Sequence, residues 1–407
     1  MIDTAKEKPL VGYRVLDLTI ARAGPTAVRL LADWGADVIR IEPPVVSGSN
    51  NSLSGAHEGS DQQNLHRNKR GLVLDLKHSE GAKLFKRMVA GADIVVENFR
   101  SDVKQRLGIE YEDLRKENPG IILASISGFG QTGPYQHRPG VDQIVQGASG
   151  LMSVTGAPGG GPMRAGIAVS DTSAGMFLGQ GILLALLHKM KTGEGQWVHT
   201  SLLEAMMSKI DFQGSRYTMD GEIAEQEGNF HPTLAPMGMY SAKDGFVNLA
   251  ASSGKMWRNF CQTLDAQKLL DNPLFDSGRA RFENRKNLNR EVNNLCQNFT
   301  MAELVEKLNA VGVPCGPINK ISEAFEDKQV KHLKMVKPAE HEILGQIDLV
   351  RTPINLSLFP ESDQFHRAGP GPGQHTVEIL REFGLDEQTV TELIESGVVQ
   401  NNSAAPA

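Results

Sequence analysis

An aspartate at the start of a long apolar stretch is the residue best placed for chemistry. Asp171 stands in the string RAGIAVSDTSAGMF, at the head of a helix predicted over residues 170–191. One interpretation makes its carboxylate an N-cap that accepts hydrogen bonds from first-turn N–H groups. The other makes it a nucleophile kept ionised by the helix dipole, with Gly166, Ala168 and Gly175 leaving room for a substrate. The residues alone leave both interpretations open.

A second candidate is the turn that follows the first predicted strand. Arg22 and Ala23 lie where the carboxyl ends of parallel strands open into a crevice, the usual ligand site of open α/β sheets. A helix N-terminus there offers free N–H groups to an anion. The turn lacks the G-x-G-x-x-G pattern, so a nicotinamide dinucleotide fingerprint is absent. A structural turn with a charged rim is the alternative.

Basic residues recur just outside other predicted strands. A ligand with several phosphates needs such a scatter of cations at one edge of a sheet, although cations beside loops are also ordinary solvated surface. The residues concerned are Lys69, Arg70, Lys77, Arg100, Lys104 and Arg106.

Composition narrows the class of protein. The 407 residues carry 42 Lys and Arg against 48 Asp and Glu, without the basic excess typical of nucleic-acid binders. Three cysteines fit neither a disulfide framework nor a zinc site, and we expect no bound metal. The N-terminal residues show no signal-peptide pattern and no long apolar run follows, so we expect a cytoplasmic protein without a membrane span.

The elements that must position these residues alternate between strands and helices. Short apolar runs at 13–18, 37–42 and 93–97 are separated by helical stretches, which indicates βαβ units and a mostly parallel sheet. The polar stretch 43–63 is interpreted as a loop. The helix over 170–191 is apolar on most faces, so we expect it to be buried centrally.

A change of character after about residue 220 predicts the domain organisation. Residues 1–222 are assigned to the first part of a large α/β domain and 223–328 to a smaller α+β domain with linkers. Residues 329–397 are predicted to return to the large domain, and 398–407 to form a disordered tail.

Successive segments resemble the class III coenzyme A transferases, the family of formyl-CoA transferase and carnitine CoA-transferase. These segments are VLDLTIARAGPTAVRLLADWGADVIRIEPP, NKRGLVLDLK, VVENFRSDVKQRLG, ASISGFGQTGPYQHRPGVDQIVQGASG, RAGIAVSDTSAGMF and KTGEGQWVHTSLLEAMMS. The resemblance implies a Rossmann-like large domain, a small domain and two subunits interlocked as a homodimer. It also implies acyl-CoA and carboxylic acid substrates, with coenzyme A as substrate and product and no tightly bound cofactor.

The resemblance assigns site residues by motif position. Asp171 matches the catalytic aspartate, and Arg138 and Asp142 lie in the RPGxD stretch that borders the acyl pocket, a looser match. The positions that match coenzyme contacts are Arg22, Ala23, Leu74, Lys77, Asn98, Phe99, Arg106 and Leu107, with Arg138 as a looser match. The implied chemistry is attack of Asp171 on the acyl-CoA, giving an anhydride and then an aspartyl-CoA thioester. Main-chain N–H groups near Gly228 are a hypothesis for the oxyanion donors.

Two other functions stay open within the resemblance. The α-methylacyl-CoA racemases of this family look to need a histidine where the RPGVD stretch has Val141, with His137 four residues earlier. A CoA-binding member without turnover is the second alternative, against which the retained Asp171 argues.

Departures from the formyl-CoA transferases bear on the substrate. Those enzymes carry a tetraglycine flap where this chain reads EQEGNFHP, and Gln where this chain has Arg22. A cation at Arg22 suits a second carboxylate, so we predict a dicarboxylate partner such as succinate.

Overall fold

The computed structural model describes residues 7–44, 55–359 and 362–401, which form two compact units. Unit 1 contains the described residues up to 151, then 165–222 and those from 334 onward, whereas unit 2 contains 152–164 and 223–333. The sequence predicts 152–164 within the large domain, and the structure corrects this. Gln226 Nε2 donates to the carbonyls of Thr155 and Gly161, which ties this segment to the chain of unit 2.

Residues 7–222 alternate strands and helices. In chain order they are β1 (Arg14–Asp17), α1 (Ala23–Asp33), β2 (Asp37–Glu42), α2 (Ser60–His66), β3 (Arg70–Leu74), α3 (Ser79–Ala90), β4 (Ile94–Glu97), α4 (Ser101–Leu107), α5 (Tyr111–Glu117), β5 (Ile122–Ser127), α6 (Asp142–Ala148), α7 (Leu151–Val154), α8 (Val169–Thr192), β6 (Trp197–Ser201), α9 (Leu202–Lys209) and α10 (Asp211–Asp220). Helix α2 begins inside the stretch 43–63 that the sequence predicts as loop and extends beyond it. Residues 45–54 of that stretch lie outside the described residues.

The remaining elements follow in the same order. Residues 223–333 form β7 (Met237–Ser241), β8 (Phe246–Ala250), α11 (Gly254–Thr263), α12 (Gln267–Leu270), the 3-10 helix Pro273–Phe275, α13 (Gly278–Glu283), α14 (Arg285–Cys296), α15 (Met301–Ala310), β9 (Cys315–Pro317), α16 (Ile321–Glu326) and α17 (Lys328–His332). Residues 334–401 form β10 (Val336–His341), β11 (Gly345–Val350), α18 (Thr376–Glu382), α19 (Glu387–Glu395) and β12 (Val399–Gln400).

The sheet of unit 1 has the order β12-β3-β2-β1-β4-β5-β6, and all its strands except β12 run parallel. This confirms the predicted α/β class. The chain leaves β1 for β2 on one side, whereas β4 lies on the other, so the order reverses at β1. Such a switch point opens a crevice at the carboxyl ends of the strands.

Both faces of this sheet are covered, as the apolar strands require. Side chains alternate across a strand, so Val15 packs into a core with α1 and α8, while Leu16 packs into a second core with α3 and α18. The parallel strands are therefore buried on both sides.

The predicted disordered tail begins as a strand instead. Val399 is fully buried and pairs antiparallel with Leu74, so β12 forms the edge of the sheet beside β3. Its burial in the second core outweighs the polar composition of the residues that follow. Residues 402–407 lie outside the described residues.

Helix α8 is not buried centrally, contrary to the prediction from its composition. One face, including Leu178 and Ile182, is fully buried against α1 and the sheet. The opposite face leaves Leu184, Leu187 and Met190 exposed by 68%, 54% and 70%. By length and composition α8 is also apolar enough to cross a membrane, although 50% of its most apolar window is buried inside the protein.

Unit 2 is built on the antiparallel sheet β7-β8-β9. Tyr240 and Val247 from its strands are buried together with Trp257 and Phe260 of α11, and Leu304 of α15 closes the same core.

Candidate active site

The turn after β1 is stabilised by a buried ion pair between Asp17 and Lys69. Asp17, the last residue of β1, accepts hydrogen bonds from the Thr19 N–H at 3.0 Å and the Thr19 hydroxyl at 2.6 Å. Its other oxygen accepts from Lys69 Nζ at 2.8 Å, and both charged side chains are fully buried. Burial lowers the pKa of Lys69 to about 8, against the opposing effect of Asp17. Lys69 therefore supports the turn.

The same turn is held from the side by Asn98, which follows β4. The Ile20 N–H donates to Asn98 Oδ1 at 3.0 Å, and Asn98 Nδ2 donates to the Ile20 carbonyl at 2.8 Å. Ala21 then takes a positive φ of 62°, a conformation rare for residues with a side chain. Both polar atoms of the predicted coenzyme contact Asn98 thus brace the turn that carries Arg22.

Arg22 stands at the N-cap position of α1 and forms an ion pair across the crevice edge. Its Nη2 lies 2.7 Å from Asp61 Oδ2 of α2, with side-chain exposures of 33% and 64%. Sequence analysis missed Asp61, because it lies in a stretch predicted as loop. Its place in the first turn of a short helix is the signal that could have found it.

Asp171 is not an N-cap, so the first interpretation of this residue is wrong. It is the third residue of α8, whose N-cap position is Ala168, and no donor among the described residues reaches its carboxylate. Asp142 of α6 takes the capping role instead: its Oδ1 accepts from the Ser170 N–H at 2.9 Å and the Ser170 hydroxyl at 2.6 Å. Asp171 is therefore left available to a substrate.

The side chain of Gln146 in α6 holds the segment that leads into α8. Its Nε2 donates to Asp142 at 2.7 Å and to the Ile167 carbonyl at 3.2 Å, and its Oε1 accepts from the Ala165 N–H at 2.9 Å. The side chain is fully buried, so these bonds are shielded from water. Sequence analysis did not single out Gln146.

Gly175 joins α8 to α1 at the site. A Cβ at this position would lie 2.4 Å from the Ala23 carbonyl oxygen. The missing side chain therefore makes room for α1, whereas the sequence predicts that it leaves room for a substrate. At Gly166, by contrast, nothing lies within 4 Å of such an atom. Asp171 is one turn before Gly175 on the same helix face, which directs it toward the start of α1.

The charges around Asp171 set its ionisation. Burial raises the pKa of Asp171, the nearby Asp142 carboxylate adds to this rise and Arg22 opposes both effects, and together they bring the pKa to about 6. The second interpretation expects the helix dipole to keep this carboxylate ionised, and burial works against that effect. The carboxylate is largely ionised at neutral pH and becomes protonated as the pH falls through about 6.

The other predicted coenzyme contacts fall into two groups. Lys77, Arg106 and Arg138 are exposed cations, and the Arg138 guanidinium lies 3.6 Å from the centre of the Tyr135 ring. Ala23, Leu74, Phe99 and Leu107 are apolar, and the Leu74 side chain is fully buried in the second core.

Three of the cations predicted to meet phosphates are buried in ion pairs instead. These pairs are Lys69–Asp17, Arg70–Asp37 and Lys104–Glu97, with N–O distances of 2.8, 2.7 and 3.3 Å. Their side chains are withdrawn from solvent, so Lys77, Arg100 and Arg106 are the exposed cations of that set.

The residues relevant to a racemase are not arranged for proton exchange. Val141 is the N-cap residue of α6, is 61% exposed and carries no proton. His137 instead shares hydrogen bonds with Ser101 Oγ and Gln136 Nε2 at 3.2 and 3.1 Å.

The main-chain N–H of Gly228, a hypothesised oxyanion donor, donates to the Gly156 carbonyl at 3.0 Å. This N–H is therefore already engaged within the protein.

Comparisons with known proteins show the family to which the chain belongs. Residues 10–376 match the family model for CoA-transferase family III. The chain is 37% identical over 396 residues to a succinate–glutarate CoA-transferase of Agrobacterium fabrum, with 95% of this chain and 98% of that protein covered. It is 32% identical over 399 residues to a human succinyl-CoA:glutarate CoA-transferase, covering 97% and 91%.

A solved structure shows the same architecture. The crystal structure of a CaiB/BaiF family protein from Brucella suis superimposes with a TM-score of 0.82 at 31% identity, covering 93% of this chain and 100% of that one. The open, mostly parallel α/β sheet reverses its strand order at β1, and folds of this class bind ligands at the carboxyl ends of their strands. The chain belongs to CoA-transferase family III, which confirms the resemblance. It is an enzyme that moves coenzyme A from an acyl-CoA thioester to a free carboxylic acid.

Proposed function

We propose that this CoA-transferase exchanges coenzyme A between succinyl-CoA and a second dicarboxylate of similar length, with Asp171 as the nucleophile. The observation that carries the proposal is the cation Arg22 near Asp171, since it lowers the pKa of that carboxyl. A guanidinium there suits the distal carboxylate of a diacid whose other carboxylate reacts. The relatives named for succinate and glutarate make glutarate the first acceptor to test.

The proposed reaction has four balanced steps. The Asp171 carboxylate attacks the thioester carbonyl, forming a mixed anhydride and releasing CoA thiolate. The thiolate attacks the aspartyl carbonyl, which gives an aspartyl-CoA thioester and frees the donor acid. The acceptor carboxylate attacks that thioester and again expels thiolate, leaving an acceptor–aspartyl anhydride. Attack of the thiolate on the acceptor carbonyl gives the new acyl-CoA and restores Asp171.

The coenzyme is proposed to lie along the carboxyl edge of the sheet. Lys77, Arg106 and Arg138 are exposed cations that suit its phosphates. The main chain at Ala23 and Leu74, together with the apolar surface of Phe99 and Leu107, would contact its remaining parts. Asn98 would contribute through the turn that it braces.

A homodimer acting in the cytoplasm is part of the proposal. The exposed side chains of Leu184, Leu187 and Met190 form an apolar stripe along α8 beside the edge strand β6. Contiguous apolar surface of this kind marks an interaction site. A second copy of the chain would cover it.

The test is a transfer assay in D₂O, read by mass spectrometry. Wild-type protein and Asp171→Ala would each receive a panel of acyl-CoAs, with succinyl-CoA and a branched acyl-CoA included, and a pool of free mono- and dicarboxylic acids. The proposal predicts new CoA thioesters of dicarboxylates with the wild type alone. Deuterium at the α-carbon of a branched acyl-CoA, without a new thioester, would instead support the racemase alternative.

A further inference from the structure

Arg22 has an acidic partner, Asp61 of α2. Its Nη2 lies 2.7 Å from Asp61 Oδ2, so the cation available to a distal carboxylate is already engaged. A substrate carboxylate that binds Arg22 must therefore compete with the carboxylate of Asp61.

The pair is built to exchange partners easily. Both side chains are partly open to water, 33% for Arg22 and 64% for Asp61, and exposed ion pairs of this kind stabilise a fold only weakly. The contact is a single hydrogen bond, unlike the bidentate grip of Arg67 on Asp33 at 3.0 and 2.6 Å. Breaking it costs little.

Helix α2 itself does not need to move in such an exchange. Gln63, two residues after Asp61, is buried and accepts from the Gly369 N–H at 2.8 Å, while its Nε2 donates to the His57 carbonyl at 2.8 Å. These bonds anchor the helix, whereas the exposed Asp61 side chain can rotate toward solvent. The exchange is confined to one side chain.

Arg22 is also close enough to the proposed reacting carboxylate, Asp171, to lower its pKa. The Ala23 main chain lies against Gly175, one turn beyond Asp171 on the same face of α8. A diacid whose first carboxylate meets Asp171 can therefore extend its second toward Arg22.

We propose that Asp61 is a specificity-determining residue, which holds Arg22 until the distal carboxylate of a dicarboxylate substrate replaces it. This inference rests on the proposed function and deepens it. A monocarboxylate leaves the pair intact, and a dicarboxylate gains Arg22 only by displacing Asp61. Removing the Asp61 charge therefore strengthens dicarboxylate binding alone.

The experiment measures kcat and KM for glutarate and for valerate, a monocarboxylate with the same number of carbons, at a saturating concentration of one CoA donor. The variants are Asp61→Asn, Arg22→Gln and the double variant. The matched control is Asp113→Asn, which removes the same charge from an exposed pair with Lys116. Thermal unfolding midpoints verify that each variant is folded.

The proposal predicts that Asp61→Asn lowers KM for glutarate about two- to five-fold and leaves KM for valerate unchanged. In the Arg22→Gln background the same substitution has no effect, because the two residues act through one interaction. Asp113→Asn changes neither acceptor.

The contrary outcomes separate the two claims. If Arg22→Gln leaves the preference between glutarate and valerate unchanged, the dicarboxylate part of the proposed function fails, and this inference fails with it. If Arg22→Gln removes the preference but Asp61→Asn changes nothing, shifts both acceptors equally or still acts without Arg22, only the role of Asp61 is overturned. An equal effect of Asp113→Asn overturns it too.

Discussion

Gly175 lies so close to Ala23 that a Cβ on Gly175 would stand 2.4 Å from the Ala23 carbonyl oxygen. The same atom would be 2.8 Å from Cβ of Thr26, one turn further along α1. This contact joins the helix that carries Asp171 to the helix that begins after Arg22. The position of Asp171, the proposed nucleophile, relative to Arg22 is therefore set by helix packing.

Gly175→Ala tests that packing. The added methyl group has no space, so we expect a loss of about 1–3 kcal/mol in the free energy of unfolding and a lower kcat, measured by urea titration and the transfer assay. Gly166→Ala is the control for the unfolding measurement, since nothing lies within 4 Å of its added atom. Equal behaviour of the two variants would contradict the packing role.

The pH dependence of thioester formation should report the charges around Asp171. The carboxylate must be ionised to attack, so the single-turnover rate should rise with pH through about 6. Asp142→Asn removes a charge that raises this pKa and should shift the rise to lower pH, whereas Arg22→Gln should shift it to higher pH. Shifts in the same direction for both variants would be inconsistent with this electrostatic arrangement.

Asp171→Asn should stabilise the fold in a pH-dependent way. The pKa of Asp171 in the folded protein, about 6, lies above its ordinary value of 3.8, so folding favours the protonated form. The cost of the charged form is absent below about pH 4 and is fully present above about pH 7. Allowing for partial solvent screening, we expect a gain of about 1–2 kcal/mol at about pH 8 and none at about pH 4. Thermal unfolding at the two pH values measures this, and a pH-independent gain would count against the shifted pKa.

Removing one partner of the buried Asp17–Lys69 ion pair should destabilise the fold strongly. Lys69→Met leaves the Asp17 carboxylate buried without its partner, so we expect a loss of about 3–5 kcal/mol by urea titration. The double variant Asp17→Asn with Lys69→Met should recover part of that loss. Lys83→Met, which breaks an exposed pair with Glu80, should cost less than about 1 kcal/mol. Similar losses for both lysine variants would show that the Lys69 pair carries no special weight.

The features predicted correctly from the sequence are those set by residues close together in the chain. Strand Asp37–Glu42 has the predicted bounds, because a short apolar run carries its own signal. Family segments identified Asp171 and Arg22 as site candidates.

The features not predicted from the sequence are contacts between residues far apart in the chain. The Arg22–Asp61 pair joins residues 39 positions apart, and Asp142 reaches Ser170 across 28. The sequence predicts Lys69 to be an exposed cation. It is buried instead, in an ion pair with Asp17, which lies beside it in the folded sheet. Apolar composition overstated the burial of α8, since one of its faces stays open in the single chain.

The measurement that tests the central claim most directly is the intact mass of the protein after incubation with succinyl-CoA alone. If Asp171 forms an aspartyl-CoA thioester, the wild type gains the mass of one coenzyme A less one water, and peptide mapping places the adduct on Asp171. Addition of glutarate removes the adduct and yields glutaryl-CoA. Asp171→Ala shows no adduct under the same conditions. Transfer without any adduct on the wild type, or an adduct that persists in Asp171→Ala, would contradict the account.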